Sequence, residues 1–115
     1  MTEIQRHDLA PFAIGETLKF SIIWRSGGAL VNVTGYGAKM QLRADNSLTS
    51  PVLLEASTQL GSISVDGLAG KFNIRVSTAG MMPGAGVWDF FAYEPTGDPK
   101  RLVKGSFVAE LPVTR

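Results

Sequence analysis

The sequence predicts an all-β fold: an antiparallel two-sheet sandwich of seven or eight short strands, immunoglobulin-like in layout. Three observations point there. Apolar and polar residues alternate with a period of two in several short runs. No window of about eleven residues or more carries an apolar stripe at helical spacing that is free of Gly and Pro. Thirteen glycines and six prolines punctuate the chain, so turns recur throughout. Strands that are apolar on one side and polar on the other need one face covered, and a second sheet supplies the cover.

The elements follow in order. Thr17 to Trp24 is the first clear run, with Leu18, Phe20, Ile22 and Trp24 on one side and Lys19 and Ser21 on the other. Ser26-Gly27-Gly28 turns the chain, and Leu30 to Val33 is a short extended piece ending at Thr34-Gly35. In the run from Tyr36 to Arg43, Tyr36, Ala38, Met40 and Leu42 oppose Lys39, Gln41 and Arg43. Residues 44–51 form a polar loop before strands at Val52 to Ala56 and Ser62 to Val65. Asp66 to Gly70 reads as a hairpin connection into Lys71 to Val76, where Phe72, Ile74 and Val76 face inward. Ser77 to Gly86 is a break with a short turn of helix at Thr78 to Met82. Val87 to Glu94 and Arg101 to Leu111 are the last strands, joined across the turn Pro95 to Pro99. Residues 1–13 lack alternation and read as an N-terminal arm, residues 14–111 as the sandwich domain, and residues 112–115 as a C-terminal tail. An open single sheet would leave Trp24, Phe72 and Trp88 in water. Burial of one such ring contributes roughly 2–3 kcal/mol.

Composition narrows the function. The chain has 115 residues, 44% of them hydrophobic and 18% charged, which fits one folded domain. Its formal charge of +1 gives no electrostatic case for nucleic acid or a membrane. Without cysteine there is no disulfide, thiolate metal site or cysteine nucleophile. No apolar run reaches signal-peptide or membrane-spanning length, so a soluble chain made in the cytosol and not routed to secretion is expected.

Chemistry-bearing residues are sparse. His7, the single histidine, lies beside Arg6 and Asp8 in the arm, a poor platform for catalysis, and reads as a solvated side chain. No serine sits in a G-x-S-x-G elbow. Gly27-Gly28 and Gly84-Ala85-Gly86 lack the following helix and Lys-Ser/Thr of a phosphate cradle and read as turns. Asp45-Asn46-Ser47 offers too few carboxylates for calcium. Lys100, Arg101 and Lys104 cluster near the last turn, three charges that make no nucleic-acid site in a near-neutral chain. No catalytic, cofactor or metal site is expected.

Asp89 lies among rings in Val87-Trp88-Asp89-Phe90-Phe91. With Trp88, Phe90 and Ala92 facing the core, Asp89, Phe91 and Tyr93 share the opposite face. The carboxylate is expected to pair across strands with Arg43 or Arg75 in a structural ion pair. Phe91 and Tyr93, with the apolar loop Met81-Met82-Pro83, have two readings: an exposed patch for a protein partner, or a surface covered by Ile4, Leu9, Phe12 and Ile14 of the arm. Phe12, Met81, Met82, Pro83, Phe91 and Tyr93 are the candidate partner-binding residues.

The chain also resembles small tailed-bacteriophage proteins found among virion and tail genes. The resemblance rests on Gly15-Glu16-Thr17-Leu18 leading to Trp24, and on the segment from Val31 to Arg43 (VNVTGYGAKMQLR). It continues with Gly86-Val87-Trp88-Asp89-Phe90, with Arg101-Leu102-Val103-Lys104-Gly105, and with the ending Val113-Thr114-Arg115. These segments span nearly the whole chain. The resemblance implies a β-sandwich virion component, similar to the N-terminal domains of baseplate proteins, and brings no catalytic motif. The expectation is a non-enzymatic structural protein of a phage particle, in the tail, the tail-fibre attachment or the head–tail neck. Its partners are expected to be other virion proteins and further copies of itself, bound through the arm, the 80–86 loop and the tail. A capsid decoration protein is the first alternative. A carbohydrate-binding module is the second, since exposed rings on a sandwich stack on sugars.

Overall fold

The computed structural model describes residues 5–114. The protein is all-β, and no helix occurs among the described residues. Eleven strands are present there: β1 (Gln5–Arg6), β2 (Phe12–Ala13), β3 (Thr17–Ile23), β4 (Arg25–Ser26), β5 (Ala29–Leu30), β6 (Gly37–Arg43), β7 (Val52–Ser57), β8 (Ile63–Asp66), β9 (Lys71–Ser77), β10 (Gly84–Tyr93) and β11 (Pro99–Glu110). The larger sheet has the order β1-β11-β10-β6-β7, with β2 also on β11. A second sheet has the order β3-β9-β8, and β4 and β5 form a two-stranded ribbon. Pairing is antiparallel except that β1 and β2 run parallel to β11.

Alternation explains which side chains are buried. On β6, Ala38, Met40 and Leu42 are buried, and on β10 so are Trp88, Phe90 and Ala92. On β9 the buried pair is Phe72 and Ile74. Rings of the smaller sheet meet rings of the larger one: Phe72 lies edge-on to Phe90 at 5.2 Å, and Phe20 edge-on to Trp88 at 5.9 Å. Trp24, Phe72 and Trp88 are all withdrawn from water, as expected for covered sheets. Gly70 holds a close approach at the β8–β9 connection. Its φ is +59°, and a Cβ there would lie 2.7 Å from the Val31 carbonyl oxygen.

Three expectations are corrected. Residues 5–14 are no free arm, because they run along β11 as part of the larger sheet. His7 N–H donates to Lys104 O, Leu9 N–H to Ser106 O and Ile14 N–H to Glu110 O. This contact is made by backbone and by Phe12, so side-chain alternation does not signal it. Ile4 of the expected arm and Arg115 of the tail lie outside the described residues. The helical turn expected at Thr78 to Met82 is a non-helical turn, closed by Met81 N–H donating to Thr78 O. Its anchor is the buried Thr78, whose hydroxyl donates to Glu16 O and accepts from Gly15 N–H. The extended piece at Leu30 to Val33 enters a strand only at Leu30, opposite Arg25, while Val31 N–H donates to Trp24 O and Val33 N–H to Gly67 O outside any strand.

Candidate functional site

The outer face of the larger sheet carries the richest set of side chains. Directly opposed residues of paired strands share a face, so the register builds this surface row by row. Arg43, Val87 and Ser106 stand in one row, Gln41, Asp89 and Lys104 in the next, and Lys39, Phe91 and Arg101 in the third. Arg6 of β1 lies beside Lys104. Arg101 and Lys104 are three residues apart, a spacing that alternation alone sends to opposite faces. The register shifts by one residue at Leu102, between the pairs Phe90–Val103 and Phe91–Arg101, and both cations reach the same face. With the 44–50 loop at one rim these strands form an open groove of about 790 Å³.

A hydrogen-bonded chain orders one side of the groove. The Arg43 guanidinium donates to Ser50 O and, through Nη2, to Gln41 Oε1 at 2.9 Å. Gln41 Nε2 donates to Glu55 Oε1 at 2.9 Å, and Lys39 Nζ lies 3.8 Å from the same oxygen. The loop that receives Arg43 is itself closed by Ser47 N–H donating to Asp45 Oδ1. Hydrogen bonding from the Ser47 side chain, and then from its backbone N–H, holds the Asp45 carboxyl below its ordinary value. Asp45 is thus a loop-closing residue. Among the described residues no group of three or more His, Cys, Asp or Glu side chains is placed to hold a metal ion.

Phe91 and Tyr93 stack on one another in the groove, with ring centroids 6.3 Å apart and planes inclined by 28°. Both are half-buried. Residues 5–14 do not cover them, since they lie on the far side of β11. Asp89 is half-buried at the groove floor and pairs with Arg101 at 3.8 Å, not with Arg43 or Arg75. Arg75 belongs to β9 in the other sheet, opposite Lys19. Arg43 is drawn toward Ser50 and Gln41, although its charge still acts on Asp89. Burial is the largest influence on this carboxyl and raises it above its ordinary value; Arg101 and then Arg43 oppose the rise.

The other candidates separate. Phe12 is buried, stacked against Phe107 at 6.3 Å, and Met81 is buried too, so neither offers an open partner surface. Met82 and Pro83 are exposed. Lys100 leaves the other two cations of its cluster and lies 5.6 Å over the Trp24 ring. His7 is exposed, with its ring edge-on to Trp88 at 6.4 Å, and its carbonyl accepts the Trp88 indole N–H at 3.0 Å. Its role in the fold is thus carried by its backbone and ring. Sequence reading missed the groove's Lys39, Gln41 and Lys104 as a set. The outward alternation of β6 and β10 was the available signal, but the shift at Leu102 has none.

A scan against protein-family models gives no match, and a search of curated proteins gives none either.

Proposed function

We propose that this chain is an immunoglobulin-like β-sandwich that serves as a non-enzymatic structural protein of a tailed-phage particle. It docks on other virion proteins through the outer face of its larger sheet. The strand orders β3-β9-β8 and β11-β10-β6-β7 support the layout, since they match the B–E–D and G–F–C–C′ orders of an immunoglobulin variable-type sandwich. The resemblance of the VNVTGYGAKMQLR segment and the closing VTR to small phage proteins supports the setting.

One observation carries the docking reading. Two stacked aromatic rings, Phe91 and Tyr93, are left half-buried among arginines on a sheet face that no other element of the described residues covers. Aromatic residues and arginine are the types enriched where proteins meet. The tail, the tail-fibre attachment and the head–tail neck are the proposed locations, with capsid decoration as the alternative. Sedimentation of the protein with isolated tails or with isolated heads separates them. For the carbohydrate-binding alternative, the stacking of Phe91 on Tyr93 removes one ring face from each as a sugar platform.

The test is a double substitution, Phe91→Ser with Tyr93→Ser, carried into the phage. Both side chains are half-exposed, so the purified variant is expected to unfold cooperatively like the parent. The reading predicts that it no longer co-sediments with particles. Normal co-sedimentation would contradict it.

A further inference from the structure

The groove on the larger sheet is charged unevenly. Five of the eleven lysines and arginines line it, namely Arg6, Lys39, Arg43, Arg101 and Lys104, with only two of the ten acids, Asp45 and Asp89. Asp8 and Glu55 also reach this face through their pairs with Arg6 and Lys39, so five cations meet four acids there and the uncompensated positive charge is local. Three of the five cations are balanced locally: Arg6 by Asp8 at 3.2 Å, Lys39 by Glu55 at 3.8 Å and Arg101 by Asp89 at 3.8 Å. Arg43 and Lys104 form no ion pair among the described residues. Arg43 is already held by Ser50 O and Gln41, which leaves donors of its fork free and little side-chain freedom to lose on binding.

Resting on the docking reading above, we propose that the partner presents an acidic polypeptide segment to this face. Its carboxylates pair with Arg43 and Lys104, and an apolar side chain beside them packs on Val87, which stands opposite Arg43 on the intervening strand β10. A protein segment fits better than an anionic glycan or a nucleic acid strand. Leu48 and Val87 offer aliphatic surface at the groove, and Phe91 and Tyr93 spend ring faces on each other where sugars or bases would stack.

The experiment titrates the ¹⁵N-labelled full chain with four probes: a peptide of alternating Glu and Leu, its Lys-for-Glu counterpart, a heparin oligosaccharide and oligo-dT. The Glu/Leu peptide is expected to shift the amides of residues 39–43 and 87–93, and to weaken about tenfold between roughly 0.05 and 0.5 M NaCl. Arg43→Glu with Lys104→Glu is expected to lower its affinity at least about tenfold, and Arg43→Gln with Lys104→Gln serves if the first pair fails to fold. Equal binding of the Lys/Leu peptide, or tighter binding of heparin or oligo-dT, overturns the proposal. The same variants are then carried into the phage. Loss of particle association is the expected result. If they associate normally while Phe91→Ser with Tyr93→Ser does not, the acidic partner is wrong and the docking face stands. If both sets associate normally, the docking reading itself falls.

Discussion

Asp89 sits where burial outweighs two guanidinium neighbours, and that balance sets what its charge does to stability. Its folded pKa is raised above the ordinary 3.8, so its favourable contribution is present below that value and is lost as pH rises through the folded value. The Arg101 pair at 3.8 Å is partly solvated and weak. Asp89→Asn is therefore expected to leave the urea midpoint at pH 7 unchanged or slightly higher, and a marked fall would contradict the assignment. Asp8 behaves in the opposite sense. Its carboxylate accepts the Ser106 backbone N–H, chiefly for that reason lies below 3.8, and contributes stability that is present above that value and lost as pH falls through the folded one. The difference in urea midpoint between the parent and Asp8→Asn should shrink as pH drops below the ordinary carboxylate range. In the core the terms are larger. Phe72 is fully buried against Phe90, so Phe72→Ala should cost about 3–5 kcal/mol in urea unfolding.

At the scale of elements, the segment 5–14, with its strands β1 and β2 on β11, depends on a glycine. A Cβ at Gly105 would lie 1.8 Å from His7 O and 2.9 Å from Trp88 Nε1. Gly105→Ala therefore pushes this segment off β11 and strips the buried indole N–H of its acceptor, at about 1–3 kcal/mol for the unmade bond. Faster amide exchange at His7 and Leu9, with β6 and β9 still protected, is the expected result; unchanged exchange at His7 would contradict it. Deleting residues 1–10 removes the same contacts, so that truncation is expected to lower stability as well as assembly. The strands were legible wherever a period of two ran through side chains, as on Thr17–Ile23, Gly37–Arg43 and Lys71–Ser77. The segment 5–14 was hidden because it binds through its backbone, with Pro11 beside the buried Phe12. The partner of Asp89 was missed for a related reason. The one-residue shift at Leu102 decides that Arg101 and Lys104 share a face, and it follows from strand pairing that the local pattern does not encode. Outward Asp89, Phe91 and Tyr93 were readable from β10 alone; the groove around them needed three strands and the 44–50 loop.

For the molecule as a whole, one covered and one uncovered face of the larger sheet divide the labour. The covered face joins the smaller sheet in a core that includes Phe72, Phe90 and Phe107. The uncovered face holds a network fixed before any partner arrives, from Arg43 through Gln41 and Glu55 to Lys39. Groups held in place lose little freedom on binding, which suits the docking proposed for this face. Amide hydrogen exchange, comparing the free protein with the protein bound to the phage particle proposed above, tests this most directly. The account predicts new protection at residues 39–43, 87–93 and 101–105. Protection confined to Lys19, Ser21, Asn73 and Arg75 on the smaller sheet would contradict it.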